Sequence, residues 1–158
     1  MYHTDWGVRR ESVIIMQHSS ENGVWGKMKI ALIAHDAKKK LMQNFCIAYR
    51  GILSKHDVYA TGTTGRLIEE VTNLNVRKLL TGHLGGMQQV AAMIDHNEID
   101  LVIFLRDPDN PKSHEPDVNI VIRICDRNNI PLASNLATAE LLIKALDRGD
   151  YEWREMYK

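Results

Sequence analysis

Five short apolar runs, spaced so that a helical stretch fits between each pair, constrain this chain more than any other feature. The runs are KIALIA (29–34), DVYAT (57–61), VRKLL (76–80), DLVIFL (100–105) and IPLAS (130–134). Between them lie DAKKKLMQNFCIAYRGIL, TTGRLIEEVTNL, GGMQQVAAMIDHN and PDVNIVIRICDRNN, with TAELLIKALDRGD after the fifth. Strands that alternate with helices pair in parallel and carry helices on their faces, because a crossover must return to the same edge of the sheet. The spacing predicts an α/β fold: a single doubly wound domain with a five-stranded, mostly parallel sheet and helices on both faces. DLVIFL is apolar at nearly every position, as a central strand covered on both sides must be. A last short stretch, YEWREMYK, is expected to form a helix that packs its aromatics on the body or on a neighbouring subunit.

The length of 158 residues suits one core, and the sheet pattern starts only at Lys29. Residues 1–27 show one apolar run, VIIM, and no sustained period, so they are read as an N-terminal extension, disordered or not native, before a domain over 28–158. Lys plus Arg number 20 and Asp plus Glu number 20. A balanced charge gives no broad attraction to nucleic acid or to an anionic membrane, so any positive site is local. Cys46 and Cys125 fall inside helical stretches without metal-ligand or redox spacing, and are expected as buried free thiols. No apolar run reaches the roughly 18 residues of a membrane span, and no signal-peptide pattern opens the chain. The expectation is a soluble, cytoplasmic protein.

Ligands of open parallel sheets bind beyond the carboxyl ends of the strands. That edge carries His35 and Asp36, then TGTTG (61–65), TGHLGG (81–86), RDPDNPKSHEPD (106–117) and Asn135. The opposite ends, NLN, NEI and RNN, read as plain helix-to-strand turns. In YATGTTGRLIEE, Thr61, Thr63 and Thr64 supply hydroxyls, while Gly62 and Gly65 allow close backbone approach or positive φ. The helix that follows aims its first N–H groups at the same spot, which suits a phosphate. A threonine N-cap alone would need one Thr rather than three. The motif is neither a Walker loop nor a dinucleotide fingerprint. AHDAKKK has two readings that it does not separate: His35 and Lys39 completing a phosphate site, or a solvated lysine run with Asp36 as a helix cap. The proline-rich 106–117 segment likewise has two: His114 with Asp107 and Asp117 in a crevice, or Asp117 as a cap beside a surface histidine.

Taken together, IALIAHD, YATGTTG, GGMQQVAAMI, EIDLVIFLRDP, HEPDV and NIPLASNLATAELLI resemble the methylglyoxal synthase family over residues 28–147, about three quarters of the chain. The resemblance implies a lyase that converts dihydroxyacetone phosphate to methylglyoxal and inorganic phosphate through an enediolate, without a cofactor or metal, in a homohexamer inhibited by phosphate. It implies substrate and phosphate contacts at His35, Lys39, Thr61, Gly62, Thr63, Thr64, Thr81, Gly82 and His114, and active-site carboxylates at Asp36, Asp107 and Asp117. The family holds its proton-abstracting aspartate where this chain has Met87. Thr81, His83 and Glu115 also replace the usual serine, proline and aspartate. Two functions stay open: a lyase in which Asp117 or Asp36 serves as base, or a silent relative that binds a phosphorylated small molecule or assembles with an active homologue.

Overall fold

The computed structural model describes residues 27–79, 85–109 and 111–157. Strands β1 (Lys29–Ala34), β2 (Asp57–Thr61), β3 (Val76–Leu79), β4 (Leu101–Leu105) and β5 (Leu132–Ala133) form one sheet in the order β3-β2-β1-β4-β5. All four pairings are parallel. The helices are α1 (Lys39–Ala48), α2 (Arg50–Leu53), α3 (Gly62–Thr72), α4 (Gly86–Asp95), α5 (Val118–Asn128) and α6 (Leu136–Asp147), with 3-10 turns at Asp36–Lys38 and Glu152–Tyr157.

Period-two alternation divides each central strand between two cores. Ile30, Leu32, Leu101, Ile103 and Leu105 face α1, α3 and α6, where Met42, Phe45, Ile68 and Ile143 close the layer. Ala31, Ile33, Val102 and Phe104 face the other way, against Val90 and Ile94 of α4 and Val121 and Ile124 of α5. Every residue of β4 is buried. A strand covered on both faces has no polar side to present, which is why DLVIFL shows no alternation in sequence.

The first helical stretch is interrupted twice. Lys38, the last residue of the 3-10 turn, leaves helical geometry at φ −110° and ψ 2° as the N-cap of α1, and Tyr49 separates α1 from α2. Gly51, just after the second break, weakens helix propensity there. Strand β5 is confined to two residues, with the Pro131 carbonyl accepting from the Val102 N–H at 3.0 Å before it. Asn73, Asn97 and Asn129, in the three turns at the amino ends of the strands, take positive φ of 57°, 58° and 52°. Asparagine tolerates that left-handed conformation better than other side chains, and it ends a helix there.

The C-terminal turn is held by a charge rather than by its aromatics alone. Arg154 is 4% exposed and Asp100 is fully buried. Arg154 Nε donates to Asp100 Oδ1 at 2.9 Å, and its second nitrogen reaches Asn97 Oδ1 and the Ile99 carbonyl. Asp100 Oδ2 in turn accepts the Lys29 N–H at 2.8 Å. One carboxylate thus ties the C-terminal turn to the entry of β1. The sequence pattern gave no sign of this, since the packing expected of that stretch rested on its aromatics and not on Arg154.

Both cysteines are free and buried, and burial pushes each thiol up to about 12. Among the described residues no helix is long and apolar enough to cross a membrane, and no His, Cys, Asp and Glu cluster is arranged to hold a metal ion.

Candidate functional site

In the order β3-β2-β1-β4-β5 the chain leaves β1 toward β2 and later crosses to β4 on its other side. The loops after β1 and β4 therefore part at the carboxyl edge and leave a crevice between them. A cavity of about 160 Å³ lies there, floored by Ile33 and Ala34 at the end of β1. A larger cavity, about 650 Å³, lies at the amino edge among Leu101, Cys125, Ile130, Leu142, Leu146 and Trp153. Its walls are mostly apolar, and its polar residues Asp126, Asn129 and Asp150 lie away from the carboxyl ends of the strands, where the polar groups of a reactive site converge in such sheets. The smaller one has them.

The α3 side of the small cavity presents Thr61 and Thr63. Thr61 occupies the N-cap position of α3 with extended backbone, yet its hydroxyl makes no capping bond. The first N–H groups of α3 are thus not spent on a side-chain cap, and they carry the partial positive charge of the helix terminus. Thr63 is exposed toward the cavity, and Gly62 is buried as the first residue of α3. Thr64 is 2% exposed, and its Oγ1 accepts from Lys39 Nζ at 3.1 Å. Gly65 has a different task from the one its motif suggests. Its φ is not positive, and a Cβ there would fall 2.6 Å from Lys78 Cγ, so the glycine lets α3 lie close against β3 rather than admitting a ligand.

Lys39 reaches the cavity from α1. Its ammonium donates to the Ala34 carbonyl at 3.2 Å and lies 3.7 Å from Asp36 Oδ1. The carboxylate of Asp36 also lies 3.4 Å from Lys112 Nζ and 3.8 Å from His114 Nε2. Three nitrogen groups from two segments therefore converge on Asp36, which lines the cavity with Lys39 and His114.

His35 is 3% exposed, and both its ring nitrogens are engaged by backbone. Nδ1 accepts the Asp107 N–H at 2.8 Å, and Nε2 donates to the Pro116 carbonyl at 2.8 Å, a pair that fixes the tautomer. The ring joins the two ends of the 106–117 loop to β1. A contact from His35 to a ligand would require one of those bonds to be given up. Its ring also meets Phe104 edge-on, with centroids 5.2 Å apart.

The remaining carboxylates are sorted by the same loop. Asp117 caps α5, with Oδ1 accepting the Asn119 N–H at 2.9 Å, and lines a neighbouring cavity instead. Asp107 lines neither cavity, and its Oδ1 accepts the Asp109 N–H at 3.0 Å. Glu115, which the sequence marked only as a replacement, holds the loop in place. Its Oε2 accepts the Asp36 N–H at 2.6 Å and its Oε1 the Lys112 N–H at 2.7 Å. Burial pushes the Glu115 carboxyl up, but the two backbone N–H groups and nearby His35 outweigh that and leave it below its ordinary value. Lys112 was also not anticipated. A lysine and a glutamate three apart, closed by the Glu115 N–H to Lys112 carbonyl bond at 3.0 Å, form a reciprocal turn that resembles a capping box. Met87, in the first turn of α4, is partly buried against the Ile33 and Phe104 core, and its side chain forms one wall of the cavity. Thr81 and Gly82, expected as further phosphate contacts, lie outside the described residues, as does His83.

Comparison with known proteins agrees with this architecture. The family model described as an MGS-like domain matches residues 43–134. The methylglyoxal synthase of Caldicellulosiruptor saccharolyticus is 66% identical over 129 residues, covering 82% of this chain and 92% of that protein. The methylglyoxal synthase of Thermoanaerobacter sp. strain X514 is 59% identical, with 82% and 98% covered. Among solved structures, methylglyoxal synthase from Elizabethkingia anophelis superposes with a TM-score of 0.71 at 43% identity, covering 74% of this chain and 77% of that one.

Proposed function

This chain belongs to the methylglyoxal synthase family, and we propose that it eliminates phosphate from dihydroxyacetone phosphate to give methylglyoxal, with Asp36 as the base. The observation that carries this reading is that Asp36 is the aspartate whose side chain shares a cavity with Lys39, Thr63 and His114. Glu115 lines that cavity too, but both its oxygens are held by backbone N–H groups. Asp117 caps α5 on the far side of Met87.

The phosphate is held by the Lys39 ammonium, the Thr63 hydroxyl and the first-turn N–H groups of α3. A carboxylate beside the bound substrate takes a proton from the hydroxymethyl carbon next to the carbonyl. The electron pair moves onto the carbonyl oxygen, and His114 donates a hydrogen bond to the enediolate. The hydroxyl of the former hydroxymethyl carbon then gives up its proton and becomes the aldehyde carbonyl. The enediolate double bond shifts to the carbon that bears the phosphate, and the carbon–oxygen bond there breaks with its pair leaving on the phosphate. The enol that remains becomes methylglyoxal by proton transfer to carbon. No water is consumed and no electron is exchanged with a second reagent.

A thioether cannot take the proton, so Met87 cannot do what the aspartate at that position does in the family. Asp36 differs from that aspartate in approach, because it rises from the end of β1 rather than from α4.

The direct measurement is methylglyoxal and phosphate release from dihydroxyacetone phosphate by the purified chain and by Asp36→Asn. The substitution is expected to lower kcat by about two to four decades, the usual contribution of a positioned base, whereas Asp117→Asn lowers it far less. An Asp36→Asn protein as fast as wild type places the base elsewhere. A second reading, a silent relative that binds a phosphorylated molecule or joins an active homologue, is favoured by Met87 itself. It becomes the better one when wild type yields no product while phosphate still raises its melting temperature.

A further inference from the structure

The cavity beside Asp36 does not end at Met87. A second volume of about 310 Å³ lies beyond it and shares Met87, His114, Glu115 and Pro116 with the first. By size it holds about ten water molecules. Its remaining apolar walls are Ala91 from α4 and Ile120 and Val121 from α5. The polar side chains Gln88, His114 and Asp117 are exposed, so they form the rim, and Ile120 is 50% exposed.

We propose that this second volume is a subsite for an apolar substituent of a phosphorylated carbonyl substrate, so that the chain accepts substrates extended beyond a triose phosphate. The proposal rests on the reading that the first cavity holds the phosphate and names what lies next to it. The thioether of Met87 is an unbranched, polarisable wall that offers no useful hydrogen bond. A substrate hydroxyl pressed against it would lose water without gaining a partner, whereas a methylene would lose nothing. The carboxylates nearby do not offset this. Glu115 holds the backbone N–H groups of Asp36 and Lys112, and Asp117 stands exposed at the rim with Oδ1 on the Asn119 N–H, away from the apolar walls of Met87, Ala91, Ile120 and Val121. An anion-binding end, a carbonyl-facing middle at His114 and an apolar end past Met87 thus follow one another along a single crevice. That order matches a phosphate, a carbonyl and a hydrocarbon arm on one molecule.

The test uses the full chain and a series of inorganic phosphate, methyl phosphate, propyl phosphate and butyl phosphate, with binding read by calorimetry. Each methylene that enters the subsite is expected to tighten binding on the order of fourfold, so butyl phosphate binds at least about tenfold tighter than methyl phosphate. Ile120→Asn places an amide on an exposed wall where folding does not depend on the side chain, and is expected to bring the butyl-to-methyl ratio to near one. Met87→Asp is expected to do the same. Equal affinity along the series, with inorganic phosphate bound, overturns the subsite and leaves the phosphate reading standing. A gain with chain length that survives both substitutions also overturns it, because the arm then lies elsewhere. No binding of any member removes the phosphate reading and the subsite with it.

Discussion

The Glu115 carboxylate accepts the backbone N–H of Asp36 at 2.6 Å across 79 residues of sequence. With Oε1 on the Lys112 N–H, one side chain closes the loop after β4 on itself and fastens it to the turn after β1. Asp36 and His114 owe their proximity to this fastening.

Glu115→Gln is therefore expected to weaken substrate binding without removing chemistry. A Gln amide keeps one acceptor, so one of the two N–H groups loses its partner, a change of about 1 kcal/mol and thus about fivefold in KM. The native carboxyl titrates below the ordinary glutamate value of 4.5. Its contribution is fully present above pH 4.5 and is lost as pH falls through the lower folded value, so wild-type KM stays flat above pH 4.5 in this respect and rises only in acid. A steady-state KM series for the two proteins tests both statements.

Met87→Asp is expected to raise methylglyoxal formation by about tenfold or more, the low end of what a placed base contributes. The thioether packs partly on the α4 and α5 core, so some stability is lost. Rates are to be compared at matched folded fractions from thermal melts. A slower mutant would mean that the existing base depends on the apolar wall.

Removing one member of the buried pair at the opposite edge is expected to unfold more than the C-terminal turn. Arg154→Ala leaves the fully buried Asp100 without its cation, which costs about 3–5 kcal/mol in such pairs. Because Asp100 also holds the Lys29 N–H at the start of β1, the loss should appear in the global denaturation midpoint rather than as local fraying. Chemical denaturation followed by tryptophan fluorescence and by circular dichroism distinguishes the two.

His56 should make stability depend on pH just below neutrality. Its Nδ1 accepts the Met28 N–H at 3.1 Å, which uses the uncharged ring, and desolvation lowers its pKa from 6.5, against the pull of Asp147. The unfolded chain then binds more protons than the folded one between the folded value and 6.5, so stability falls as pH drops through that window. His56→Gln should flatten the dependence of melting temperature on pH there.

The sequence alone determined the strand and helix alternation, the buried character of DLVIFL, and the polar, glycine-rich character of the carboxyl edge. It also marked the turns at Asn73, Asn97 and Asn129, where a single residue type adopts positive φ. All of these depend on residues within one or two turns of each other, and a period of two or 3.6 records such relations directly. It did not determine the strand order, the engagement of the His35 ring by Asp107 and Pro116, or the packing reason for Gly65 against Lys78. Nor did it separate Asp36, which faces the cavity, from Asp117, which caps a helix. His35 and Pro116 are 81 residues apart, and Lys29 and Asp100 are 71 apart. Contacts at that range exist only once β4 has paired with β1, and so the tertiary structure, not any local pattern, decides that Asp36 faces the cavity while Asp117 caps α5.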